Sequence, residues 1–169
     1  MNITGLHHVT AIASNPQRNL DFYVELLGLR LVKRTVNFDD PGSYHFYFGD
    51  AVGTPGTILT FFAWSGSRRG IHGSGEVSAT AFTIPTGSAS YWLERLKLYH
   101  VTVERAPKRL GEEVVRFADP DGMLIELMSR RRALQRCRGA KDRFRRSIRS
   151  ADCTVYRRGS KDPKKPRSC

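Results

Sequence analysis

Cysteine is scarce. The chain has three, Cys137, Cys153 and Cys169, and none in its first 128 residues. An odd number with no CxxC pair builds neither a disulfide framework nor a zinc site, so a reducing compartment, the cytoplasm, is expected. No apolar run approaches the about 18 residues of a membrane span. Met1 to Gly5 lacks the basic stretch and apolar core of a secretory leader. GxSxG, P-loop and GxGxxG patterns are missing too, which leaves nucleophilic hydrolysis and nucleotide chemistry without support.

Positive charge is abundant but confined. The 169 residues carry a formal net charge of +12, which on its face suggests nucleic acid or an anionic surface. Up to Met128, however, twelve basic residues face thirteen acidic ones, whereas Ser129 to Cys169 hold sixteen basic and three acidic residues. All three cysteines lie in that segment, and its few large apolar residues, such as Leu134 and Ile148, have no periodic partners. Residues 129–169 therefore read as a basic, disordered tail. The alternatives are a nucleic-acid-binding arm, since clustered Lys and Arg neutralise phosphates without a fold, and a merely solvated extension. The sudden change of character after Met128 fits a frameshifted or truncated reading frame best.

The first 128 residues are a different kind of sequence. The chain is 40% hydrophobic and 26% charged, enough for a packed core, and a pattern runs through this part twice. Leu6 to Ala13 alternates as a strand. Asn15 caps a helix with Pro16 in its first turn, and Leu20, Tyr23, Val24 and Leu27 share a face that Gly28 ends. Strands follow at Leu29 to Val36, Tyr44 to Gly49 and Thr57 to Trp64. The second copy places strands at Val77 to Ile84, Val101 to Arg105, Glu113 to Phe117 and Met123 to Met128, with a helix at Ser88 to Leu98. Phe22-Tyr23-Val24-Glu25-Leu26-Leu27 matches Tyr91-Trp92-Leu93-Glu94-Arg95-Leu96. The expected architecture is α+β: two tandem βαβββ modules, 1–64 and 76–128, joined by a Gly- and Ser-rich linker at 65–75, with curved mixed sheets pairing around a cleft.

Few side chains offer chemistry. In His7-His8 the two imidazoles are expected on opposite faces of the first strand, with His8 on the concave side alongside Thr10 and Ile12. A lone histidine is more often satisfied by a core hydrogen bond than by a metal. Glu126, between Ile125 and Leu127, is either an outward edge carboxylate or a hard oxygen ligand facing the cleft, because a buried carboxylate needs a cation. One His and one Glu make two thirds of the facial triad that holds non-haem Fe(II). His45, between Tyr44 and Phe46, reads first as a surface residue and second as a group supporting the metal. His72 and His100 are given no role.

Three segments carry a resemblance: GLHHVT (Gly5 to Thr10), LDFYVELLGLRLVKRTVNFDDPGSYHFYFGD (Leu20 to Asp50) and PGTILTFFAW (Pro55 to Trp64). With the duplication, they resemble the vicinal oxygen chelate superfamily, the glyoxalase/bleomycin-resistance/dioxygenase group. More narrowly, they are similar to the amino-terminal half of its hydroquinone-type ring-cleaving dioxygenases. The resemblance spans Met1 to Met128 and implies Fe(II)-dependent, O2-consuming cleavage of a hydroxylated aromatic ring. It implies His8 as a metal ligand, with His7 and Thr10 lining the site as catalytic support, and Glu126 as a second metal candidate at the equivalent position of the second module. Thr60 is at best a weak neutral donor, and Ala79 is none. The family's other ligands come from a later half with no counterpart here, so a weak or inactive enzyme is expected. A site of His and Glu alone would accept Mn or Zn as well as Fe(II), and a homodimer would bring in further ligands. The rival readings are a glyoxalase-like domain that binds a ligand or metal without turnover, and a nucleic-acid module acting through the tail.

Overall fold

A computed structural model describes residues 5–71, 73–104, 106, 108, 112–129 and 154–157. Strand β1 (His8–Ala13) leads into α1 (Pro16–Leu20), followed by a π-helical stretch at Asp21–Leu26, then β2 (Arg30–Val36), β3 (Tyr44–Gly49) and β4 (Ile58–Ala63). The second module runs β5 (Val77–Ile84), α2 (Ala89–Leu98), β6 (Val103–Glu104), β7 (Val114–Ala118) and β8 (Leu124–Ser129). The duplication is exact at the level of topology. The first sheet has the order β1-β4-β3-β2, and the second contains the equivalent order β6-β7-β8-β5. In each, the first and last strands of the module pair in parallel and the rest are antiparallel.

The tail adds one departure from expectation. Its residues Thr154–Arg157 form β9, antiparallel to β5, so the second sheet has five strands. The expected disorder of residues 130–153 and 158–169 lies outside the described residues.

The expected cap is present. Asn15 has extended backbone angles, and its side chain accepts a hydrogen bond from the Arg18 amide at 2.9 Å, leaving Pro16 where a missing N–H costs nothing. Gly28 stops the helix at φ +71°, in the left-handed region that suits glycine. Between these ends the helix is not the uniform α-helix the spacing predicts. Leu27 N bonds Phe22 O, five residues back, at 3.0 Å. The wider π turn rotates the core-facing set, so Phe22, Tyr23, Leu26 and Leu27 are buried whereas Leu20 and Val24 are half-exposed. Two residues past the end of α2, His100 turns the chain with φ +56°. Val101 spends its amide on Leu96 O, so β6 begins at Val103 rather than at the expected Val101.

One contiguous core joins the modules. Phe46, Phe48, Leu59 and Phe61 pack with Phe22, Tyr23 and Leu26 of the π-helical stretch, and Phe82, Ile84, Trp92, Leu96, Phe117, Ile125 and Leu127 continue the cluster. Polar contacts clamp the seam. Tyr23 Oη donates to Asp119 Oδ2, Arg18 Nη2 to Pro120 O, and Arg95 Nε to Leu26 O. Ser14 N and Oγ both donate to Asp121. Arg95 thereby caps carbonyls at the end of the first module's helix, where a cation is favoured.

Candidate functional site

Strand alternation decides which residues share a face. On β1, Val9, Ala11 and Ala13 turn toward the core, while His8, Thr10 and Ile12 are exposed on the other side, as their parity predicts. Register carries that face across the sheet. Thr10 pairs with Thr60, then Tyr47 and Lys33; Ile12 pairs with Phe62, then His45 and Thr35. Directly opposed residues point the same way, so these eight form two rows beside His8.

The two histidines do not diverge as expected. β1 begins at His8, so His7 precedes the strand and is free of its alternation. The imidazoles meet edge to face with centroids 5.2 Å apart and their Nδ1 atoms 3.0 Å apart. One Nδ1 carries the shared proton. When His8 donates it, His8 Nε2 presents a lone pair suited to a metal. Thr60 Oγ1 lies 2.9 Å from Thr10 Oγ1 as a hydrogen-bond donor, which fixes the Thr10 hydroxyl on the same face.

Glu126 has other company. It is fully buried on β8, where its cross-strand partner is Arg116 of β7. Arg116 donates through Nε, at 2.9 Å, and through Nη2 to Glu126 Oε1. The cation that a buried carboxylate requires is thus supplied by the protein itself. Among the described residues, no three His, Cys, Asp or Glu side chains come together as a metal site. The donors present therefore do not fit a complete Fe(II) centre: the structure offers the His7–His8 pair but does not bring Glu126 to it.

His45 is the residue that sequence reasoning misplaced. It is half-buried on the His8 face rather than on the outer surface. Its ring lies 4.3 Å from that of Tyr47 and 4.1 Å from that of Phe62, and the Tyr47 hydroxyl is 3.1 Å from His45 Nδ1. Burial, with Lys33 and His8 nearby, pulls its imidazole below the usual histidine range, so it is neutral at physiological pH. Elsewhere Asp119 is pushed up by burial, against the opposing donors Met123 N, Tyr23 Oη and Asp121 N. A cavity of about 450 Å³ lies off this face, where Phe22 and Leu26 meet His100, Val101 and Pro120. No helix among the described residues is long and apolar enough to cross a membrane.

Residues 5–127 match the family model described as the Glyoxalase/Bleomycin resistance protein/Dioxygenase superfamily. The chain is 51% identical over 126 residues to MhqO of Bacillus subtilis, named as a candidate ring-cleaving dioxygenase, covering 75% of this chain and 40% of that protein. It is 38% identical over 121 residues to the chlorohydroquinone/hydroquinone 1,2-dioxygenase of Sphingobium indicum, covering 70% of this chain and 38% of that enzyme. A solved candidate dioxygenase of Bacillus subtilis superposes with a TM-score of 0.72 at 44% identity, over 89% of this chain and 46% of that one. The chain spans about 40% of the length of the curated relatives it matches.

Proposed function

The chain belongs to the Glyoxalase/Bleomycin resistance protein/Dioxygenase superfamily, and on that footing we propose that it supplies two modules of an Fe(II)-dependent, O2-consuming enzyme that cleaves hydroquinone-type aromatic rings. The observation that carries this reading is the open face of the first sheet, which sets His8 and Thr10 side by side in a chain similar to a chlorohydroquinone/hydroquinone 1,2-dioxygenase. His8 is the ligand assigned to the metal. His7 orients the His8 ring through the Nδ1 contact, and Thr10, held by Thr60, offers a hydroxyl to the bound ring. Glu126 enters only after releasing Arg116, so the remaining ligands come from protein beyond these two modules or from a second copy.

A chimera tests this reading. Residues 5–127 replace the matching segment of MhqO, and O2 uptake is followed with hydroquinone and Fe(II). The expected result is uptake that His8→Ala reduces by at least about a hundredfold, as loss of a metal's protein ligand or its support does. A folded chimera that consumes no O2 would sink the proposal. A second reading, a domain that binds its ligand without metal or turnover, draws on the Arg116–Glu126 pair. It predicts that the chain binds hydroquinone with an affinity that Fe(II) does not change and that the chimera consumes no O2.

A further inference from the structure

We propose that His45 is a positioning residue that joins Tyr47 and Phe62 into an aromatic floor beside His8 and Thr10, on which a planar hydroxylated ring lies face down. The choice of ligand rests on the reading above; the floor itself rests on geometry.

The opposite side of these strands is already accounted for. Phe46, Phe48, Leu59 and Phe61 fill the core, so the rings of the other parity have no core role. They continue one another: Tyr47 to His45 at 4.3 Å and 37°, His45 to Phe62 at 4.1 Å and 32°, and Phe62 to Trp64 at 5.8 Å and 18°. The row is open, because Ile12 beside it is 51% exposed and Trp64 at its end is 36% exposed. Tilted and offset rings at these spacings are the arrangement that a further aromatic ring extends. Trp64 is itself tethered, its Nε1 donating to Asp40 Oδ2 at 3.0 Å.

His45 is an unusual way to build such a row. A phenylalanine would fill the same slot without leaving a polar atom buried, yet here Nδ1 engages the Tyr47 hydroxyl and Nε2 is buried with no hydrogen-bond partner among the described residues. A buried polar atom in that state calls for a function or a missing partner. A ring hydroxyl entering at the Phe62 edge, with a small outward turn of that ring, supplies one. The polar row Thr10, Thr60 and Tyr47 runs alongside, and the Lys33 ammonium stands 5.4 Å from the Tyr47 ring centroid. The floor thus joins a flat apolar surface, hydroxyl partners along one margin and a positive charge at one end. That combination suits a planar phenol or diol better than an aliphatic one.

The full chain, 15N-labelled, is titrated with hydroquinone under anaerobic conditions and a metal chelator, with cyclohexane-1,4-diol as the non-planar control. Its two tryptophans give two indole N–H resonances. Trp64 reports on the floor, and Trp92, 1% exposed, reports on the fold. Hydroquinone is expected to shift the Trp64 resonance saturably and leave Trp92 in place, while the cyclic diol shifts neither. His45→Gln is expected to weaken binding about tenfold with the Trp92 resonance unmoved. Phe62→Leu gives the same readout should the histidine variant fail to fold. No saturable Trp64 shift, or wild-type affinity in a folded variant, overturns the floor. Because iron is chelated throughout, failure here is separate from failure of the chimera to consume O2.

Discussion

The Tyr23 hydroxyl, in the helical segment of the first module, donates to Asp119 Oδ2 in the last turn of the second, 2.9 Å away and 96 residues along the chain. Both groups are buried, and around them Ser14, Arg18 and Asp121 make further contacts across the same seam. The two modules are therefore held together by a directional polar contact set into a shared apolar core. Tyr23→Phe removes one donor from a buried carboxylate and keeps the ring. The expected cost is about 2 kcal/mol, measured by urea denaturation.

Asp119 also sets a pH dependence. Burial raises its folded pKa above the unfolded value, so the folded state holds a proton over the interval between the two, and stability falls as pH rises through that interval. The term is fully present below the unfolded value and lost above the folded one. Asp119→Asn cannot titrate. The stability of the native chain minus that of Asp119→Asn is expected to decline with rising pH across this window and then stay level; a difference independent of pH would contradict the burial of this carboxyl.

For His45 the sign is reversed. Its folded pKa lies below its unfolded value, so the unfolded chain binds the extra proton first, and stability is lost as pH falls from about 6.5 through the depressed value. Thermal melts between pH 5 and 8 are expected to show this slope in the native chain and a shallower one in His45→Gln.

Arg116 and Glu126 form the fourth test. Arg116→Met leaves a carboxylate inside the second sheet without its cation, an expected loss of about 3–5 kcal/mol. Arg116→Met with Glu126→Leu is expected to recover most of it. A double variant no more stable than the single one would mean that the pair does something other than neutralise a buried charge.

Much of the fold was legible because local signals and long-range pattern agree. Asn15 and Pro16 mark the helix start, Gly28 its end, and the FYVELL and YWLERL segments announce the duplication. On β1 the polar residues His8 and Thr10 alternate with Val9 and Ala11, so parity alone places them. β3 offers no such contrast. In Tyr44-His45-Phe46-Tyr47-Phe48 nearly every residue is aromatic, and only the pairing of Phe46 with Phe61 and of His45 with Phe62 separates core from open face. The π turn was hidden for a similar reason, since Phe22, Tyr23, Leu26 and Leu27 are apolar alongside Leu20 and Val24. Glu126 looked like a ligand because its partner lies ten residues upstream across a hairpin, a relation visible only once the register of β7 and β8 is known.

The parallel pairing of β1 with β4 also sets an order of events in folding. β1 is an edge strand whose neighbour in its sheet is β4, and the Thr10–Thr60 contact that joins them spans fifty residues of chain. Hairpins such as β2–β3 close locally and quickly, whereas so distant a pairing waits on loop closure. As the polypeptide emerges during synthesis, His8 is made some fifty residues ahead of its partner strand and takes its final place only after Ile58–Ala63 has followed. The imidazole assigned to the metal is thus made well before it is seated, and mutations that slow the arrival of β4 would delay maturation of the site while leaving the β2–β3 hairpin to form on schedule.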